Sequence, residues 1–130
     1  MNQSPLILVV DDETAFLEIL KAKLLGAGFR VETAGSGREG IQKAKDLKPD
    51  LILMDVKMPE IDGITVVSEL KRDPATKDLK VIFLTNLGES DTAMREIDEK
   101  FSLDVGATGY IKKTDDLDSM VLRVKAFLGH

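Results

Sequence analysis

Two apolar runs in this sequence end on carboxylates. Leu6 to Val10 runs into Asp11, Asp12 and Glu13, and Leu51 to Met54 runs into Asp55. Buried segments rarely end on charge without a partner or a use. Two further runs end on other polar groups: "KVIFLT" on Thr85, followed by Asn86, and "TGYIKK" on Lys112 and Lys113. Brought together, the carboxylates repel one another and one pKa rises, unless a cation intervenes. A hard divalent ion removes the conflict, and Mg²⁺ takes one or two carboxylates together with water and phosphate oxygens. A lysine and a hydroxyl aimed at the same carboxylate suit such a site to stabilising a phosphoryl group. Asp55 would then be the nucleophile. On residue type alone Asp55 has three readings: a structural charge at a strand end, a ligand to a cofactor, or a chemical acceptor.

These groups meet only if the elements carrying them share one sheet. Leu6–Val10 reads as a buried strand, and a helix follows with Phe16, Ile19, Leu20 and Leu24 at helical spacing and Gly26 as its stop. "FRVETA" is a second strand, and "GREGIQKAKDL" a helix with Ile41, Ala44 and Leu47 on one stripe. Leu51–Met54 is a third strand, followed by the helix of "DGITVVSELKRD" with Asp62 suited to cap it. "KVIFLT" is the fourth strand, and "ESDTAMREIDEKFSLDV" a fourth helix carrying Met94, Ile97 and Phe101. "TGYIKK" is the fifth strand, and a closing helix places Leu117, Met120, Val121, Val124 and Leu128 on one face. Strands one, three and four are nearly continuous in apolar residues, as strands covered on both faces must be. Five βα units predict an α/β fold, an open doubly wound parallel sheet with helices on both sides. Ligands then bind beyond the C-terminal strand ends, the edge that collects the acids, Thr85 and the lysines.

The length of 130 residues fits one domain, and the 5% aromatic content makes an aliphatic core. The net charge of −5, with signs mixed along the chain, argues against a nucleic-acid surface, which needs a basic stripe. Without cysteine there is neither a disulfide scaffold nor a Cys-ligated metal. The run "LILVV" is too short for a signal-peptide core or a membrane span. The lone histidine is the terminal His130, so no histidine-based catalysis is expected.

Each residue also has a plainer explanation. Asp11, Asp12 and Glu13 open a helix, where acids favour the positive end of the dipole. Asp55 alone is a solvated strand-end charge, Thr85 a capping or packing residue, the lysine pair a solvated edge, and Tyr110 half-buried packing. A rival motif is "GSGREG", Gly35 to Gly40, which matches G-x-G-x-x-G. It follows the second strand, whereas the dinucleotide fingerprint belongs to the first βα turn, and the neighbouring strand ends in two aspartates that repel a pyrophosphate. Gly35, Gly37 and Gly40 are therefore read as turn and helix-start residues. Aspartate-nucleophile phosphatases need an acid two residues after the nucleophile, where this chain has Lys57.

In this order, "VVDDE", "LILMDVKMPEIDG", "FLTNLG" and "GATGYIKK" resemble the receiver domain of two-component response regulators, of the chemotaxis-regulator kind. The resemblance covers nearly the whole chain, taken as one domain over residues 1–130. It implies a flavodoxin-like five-stranded sheet of order 2-1-3-4-5. It implies that Asp55 is the phosphoacceptor, taking a phosphoryl group from a phosphohistidine on a sensor histidine kinase or phosphotransfer protein, with Mg²⁺ bound. Asp12 corresponds to the direct metal ligand, Asp11 to one acting more through water, and Lys57 to the residue whose backbone carbonyl binds the metal. Thr85 corresponds to the hydroxyl that contacts the phosphoryl oxygens, and Tyr110 to the aromatic that reorients between states. The pattern Gly-Ala-x-x-Tyr-x-x-Lys points to Lys113 as the family's lysine, with Lys112 the competing choice.

A cytoplasmic signalling domain is implied, catalysing only its own phosphorylation and slow dephosphorylation. It would act on a downstream protein or effector domain without direct nucleic-acid or membrane contact. The alternative is a pseudo-receiver, an interaction module that takes no phosphate. The chain departs from the family at three places. Thr114 stands where a proline usually follows the lysine, joined by a cis peptide. Such a bond before a non-proline costs roughly 3 kcal/mol, so a trans or strained loop is expected. Asn86 replaces a small residue, and the stretch from Thr85 to Gly106 is longer than in the shortest members. These changes fall on the output face.

Overall fold

The computed structural model describes residues 4–85 and 106–129. Its elements are β1 (Leu6–Val10), α1 (Thr14–Gly26), β2 (Arg30–Ala34), α2 (Gly37–Leu47), β3 (Leu51–Asp55), α3 (Gly63–Arg72), β4 (Val81–Thr85), β5 (Gly109–Lys112) and α4 (Leu117–Phe127). The strands form one parallel sheet in the order β2-β1-β3-β4-β5, the doubly wound, flavodoxin-like arrangement expected. The expected fourth helix, with Met94, Ile97 and Phe101, lies outside the described residues, as do Asn86 and His130.

The period-two alternation of a strand sorts its side chains to two faces. Ile7, Val9, Leu51, Leu53, Ile82, Leu84 and Ile111 pack with Leu17, Leu20 and Leu24 of α1 and Met120, Val121 and Val124 of α4. Leu8, Val10, Ile52, Met54, Val81 and Phe83 pack with Ala44 of α2 and Val66, Val67 and Leu70 of α3. Both faces of β1, β3 and β4 are therefore covered, which explains their unbroken apolar runs.

Two expected core positions are corrected. Ile19 is 54% exposed, and Leu17 is buried in its place. At 100° per residue, Leu17, Leu20 and Leu24 span a narrow arc whose centre lies about 130° from Ile19, while Phe16 flanks it. Leu47, the last residue of α2, is 41% exposed. The buried face of α2 is made instead by Gly37, Gly40 and Ala44.

That face accounts for the "GSGREG" motif. Ser36 Oγ accepts from Glu39 N at 3.2 Å and Glu39 Oε1 accepts from Gly35 N at 2.6 Å, a reciprocal cap at the start of α2. A Cβ on Gly37 would stand 2.7 Å from Val66 Cγ2 and one on Gly40 2.9 Å from Val10 Cγ2. The glycines let α2 lie close against α3 and β1. Asp62 caps α3 as expected, accepting from Thr65 N at 2.8 Å. Asp116 does the same for α4, accepting from Ser119 N at 2.8 Å.

Candidate functional site

Strand register assembles the site. Val10 pairs with Met54, so Asp11 stands level with Asp55 on adjacent strands. Thr85 pairs with Lys112, so Lys113 is the first residue beyond the sheet on that side. Its backbone N donates to Thr85 O at 2.7 Å. Ligand oxygens of Asp11, Asp12 and Asp55 lie within 4.8 Å of one another, with Asp11 and Asp55 buried and Asp12 exposed. Lys113 Nζ reaches Asp11 Oδ2 at 2.8 Å, Glu13 Oε1 at 2.7 Å and Asp55 Oδ1 at 3.8 Å. The lysine that enters the acidic cluster is thus Lys113. No peptide bond among the described residues is cis, the one before Thr114 included.

The helix-capping reading of the acidic triplet is not what the geometry shows. Glu13 is the N-cap of α1 but makes no side-chain cap bond, and the first turn contains no acid. Asp11 Oδ1 accepts from Glu13 N at 2.9 Å, which fixes the turn that follows β1.

Burial pushes the Asp55 carboxyl from 3.8 up to about 7, reinforced by the charges of Asp11 and Asp12 and opposed by Lys113. Burial also works against the Lys113 charge, but the close contacts with Asp11 and Glu13 and the charges of Asp11 and Asp55 outweigh it, so its pKa is raised. Three carboxylates face one buried ammonium, and the imbalance falls on Asp55. An all-oxygen donor set with surplus negative charge fits a hard divalent cation. Thr85 Oγ1 is buried, and no hydrogen bond to it is found among the described residues. An unmet hydroxyl in a dry setting is costly, and it suits a ligand oxygen. Lys57 lies in the exposed loop two residues beyond Asp55. Tyr110 is half-buried on β5, and Arg123 of α4 donates to its carbonyl at 2.9 Å and lies 5.8 Å from its ring centroid.

Three participants were not legible beforehand as parts of the site. Glu13 reaches across 100 positions to Lys113, and Phe16 lies under the same ammonium, its centroid 4.6 Å from Nζ. The third is Gly63. The loop after Asp55 returns so that Gly63 N donates to Val56 O at 2.8 Å. A Cβ on Gly63 would stand only 2.1 Å from the carbonyl oxygen of Asp55. Within that loop Glu60 takes a left-handed φ of 67°.

The open parallel α/β sheet thus gathers an acidic cluster and the Lys113 ammonium at its C-terminal edge. The response regulator receiver domain family model matches residues 7–125, and the chain belongs to that family. It is 38% identical over 124 residues to the DNA-binding dual master transcriptional regulator RpaA of Synechocystis sp., covering 95% of this chain and 49% of that protein. To the alkaline phosphatase synthesis transcriptional regulatory protein PhoP of Bacillus subtilis it is 37% identical over 122 residues, covering 94% and 48%. The chain spans about half the length of the curated relatives it matches. The chemotaxis protein CheY4 of Vibrio cholerae superposes with a TM-score of 0.84 at 27% identity, covering 95% of this chain and 98% of that one. Among the described residues no helix is long and apolar enough to cross a membrane.

Proposed function

We propose that residues 1–130 are one receiver domain whose Asp55 accepts a phosphoryl group from a phosphohistidine of a sensor histidine kinase or phosphotransfer protein. An Asp55 carboxylate oxygen attacks phosphorus, the P–N bond breaks, and its electron pair returns to the imidazole. Asp11, Asp12, Asp55 and the Lys57 carbonyl would hold Mg²⁺, which when bound supplies positive charge against the carboxylates and phosphoryl oxygens. Lys113 and the Thr85 hydroxyl meet the oxygens that gain charge. Thr85 and Tyr110 then bias a surface that includes β5 and α4 between two states. The same site hydrolyses the acyl phosphate slowly, so the domain acts on itself alone. The net charge of −5, with signs mixed along the chain, supports a protein-binding role without direct nucleic-acid contact, and a cytoplasmic setting is part of the same reading.

The observation that carries this reading is the convergence of Asp11, Asp12 and Asp55 within 4.8 Å, with the Lys113 ammonium 3.8 Å from Asp55. Incubation with Mg²⁺ and acetyl phosphate should give one base-labile phosphoryl adduct by intact mass. Asp55→Asn and removal of Mg²⁺ with EDTA should each abolish it. An adduct that persists in Asp55→Asn sinks the acceptor assignment, and no adduct at all favours the alternative, an interaction module that takes no phosphate.

A further inference from the structure

Lys113 has more partners than its present use explains. An ammonium carries three protons. Glu13 Oε1 accepts a hydrogen bond from it at 2.7 Å, Asp11 Oδ2 lies 2.8 Å away as an ion pair without a hydrogen bond, and the centroid of the Phe16 ring is 4.6 Å away. Asp55 Oδ1 at 3.8 Å is outside hydrogen-bond reach. A phosphoryl oxygen arriving at Asp55 therefore competes with Glu13 for the ammonium.

The two acidic partners differ in what release costs. Asp11 is fully buried, and losing its cation would leave a desolvated charge. The Glu13 side chain is 57% exposed, so water takes over its solvation and the contact has the modest strength of a surface pair. We infer that Glu13 is a positioning residue that parks Lys113 away from Asp55 and competes with the phosphoryl group for it. The inference rests on the reading of Asp55 as acceptor. Glu13 sits on the rim of the site, so it sets the strength of phosphoryl capture without touching the reacting atoms.

Beryllofluoride with Mg²⁺ serves as the phosphoryl probe, its affinity measured by calorimetry. Glu13→Gln should tighten binding roughly two- to five-fold, the range set by an exposed ion pair. The ¹⁵N resonance of the Lys113 ammonium in the metal-free protein should shift as well. Glu18→Gln, which neutralises an exposed acid on α1, should change neither. Unchanged or weaker binding in Glu13→Gln, or an equal gain in Glu18→Gln, overturns the inference while leaving the acceptor reading in place. A parent protein that takes up no beryllofluoride overturns both.

Discussion

Asp55→Asn is expected to make the metal-free protein more stable than the parent at pH 8, by up to about 4 kcal/mol, with the gap closing toward pH 4. The Asp55 carboxyl is raised from 3.8 to about 7 by burial and by Asp11. Between those values the native protein holds a proton that the unfolded chain has released. Stability from this group is therefore present at low pH and lost as pH rises through that window. Each unit contributes about 1.4 kcal/mol, and the window spans about three units. The Lys113 pKa is itself raised, so the lysine keeps its charge across the same range and adds no slope. Urea unfolding in EDTA from pH 4.5 to 8.5 measures the difference, and parallel curves for the two proteins would contradict the electrostatic account. Added Mg²⁺ should stabilise the parent more than Asp55→Asn at pH 8.

Gly63→Ala should have the second large effect, a loss of about 3 kcal/mol, at the upper end of what overpacking costs. The new methyl would meet Asp55 O at 2.1 Å, Asp55 C at 3.0 Å and Met54 Cγ at 3.1 Å. The first two are backbone atoms of β3, which is hydrogen-bonded on both sides, so no rotamer relieves the clash. Either the start of α3 moves away or Asp55 is displaced, and the second outcome would also lower adduct formation. Gly26→Ala is the matched control. Its Cβ would meet nothing within 4 Å, and at the end of a helix the change should stabilise by about 0.5 kcal/mol. Thermal melts of the two variants give the comparison, and equal midpoints would remove the steric argument.

The contrast between these glycines shows where the sequence is informative. Leu51–Met54 announces a two-sided strand because burial on both faces leaves no room for polar residues, and Asp55 stands out against it. The acids, Thr85 and Lys113 could be placed on one edge because parallel strands put all their C-terminal ends together. Contacts between distant segments have no local signature. The bond from Glu13 to Lys113 spans 100 positions, and in the sequence Glu13 reads only as an acid before a helix. Gly63 reads as a loop residue because its constraint is a neighbouring carbonyl. Gly37 and Gly40 form a buried face that hydrophobic patterning overlooks, since glycine carries no side chain to register as apolar. Ile19 was misplaced for the complementary reason: on a helix with so many aliphatic residues, composition does not fix which arc meets the sheet.

The position of β5 has a mechanical consequence. Among the described residues it is a four-residue edge strand with β4 as its single sheet neighbour, whereas β3 is held on both sides. Among the described residues one row of its backbone groups has no sheet partner, so moving β5 breaks fewer sheet bonds than moving β3. Immediately past its C-terminal end, Lys113 is gripped by the acids, and at its second residue Tyr110 is tethered through its carbonyl to Arg123 of α4. At about 3.3 Å per residue, three residues separate the two attachments by roughly 10 Å. β5 therefore joins a grip at Lys113 to a tether at Tyr110, where Arg123 both donates to the carbonyl and lies over the ring, while β4 pairs along its length.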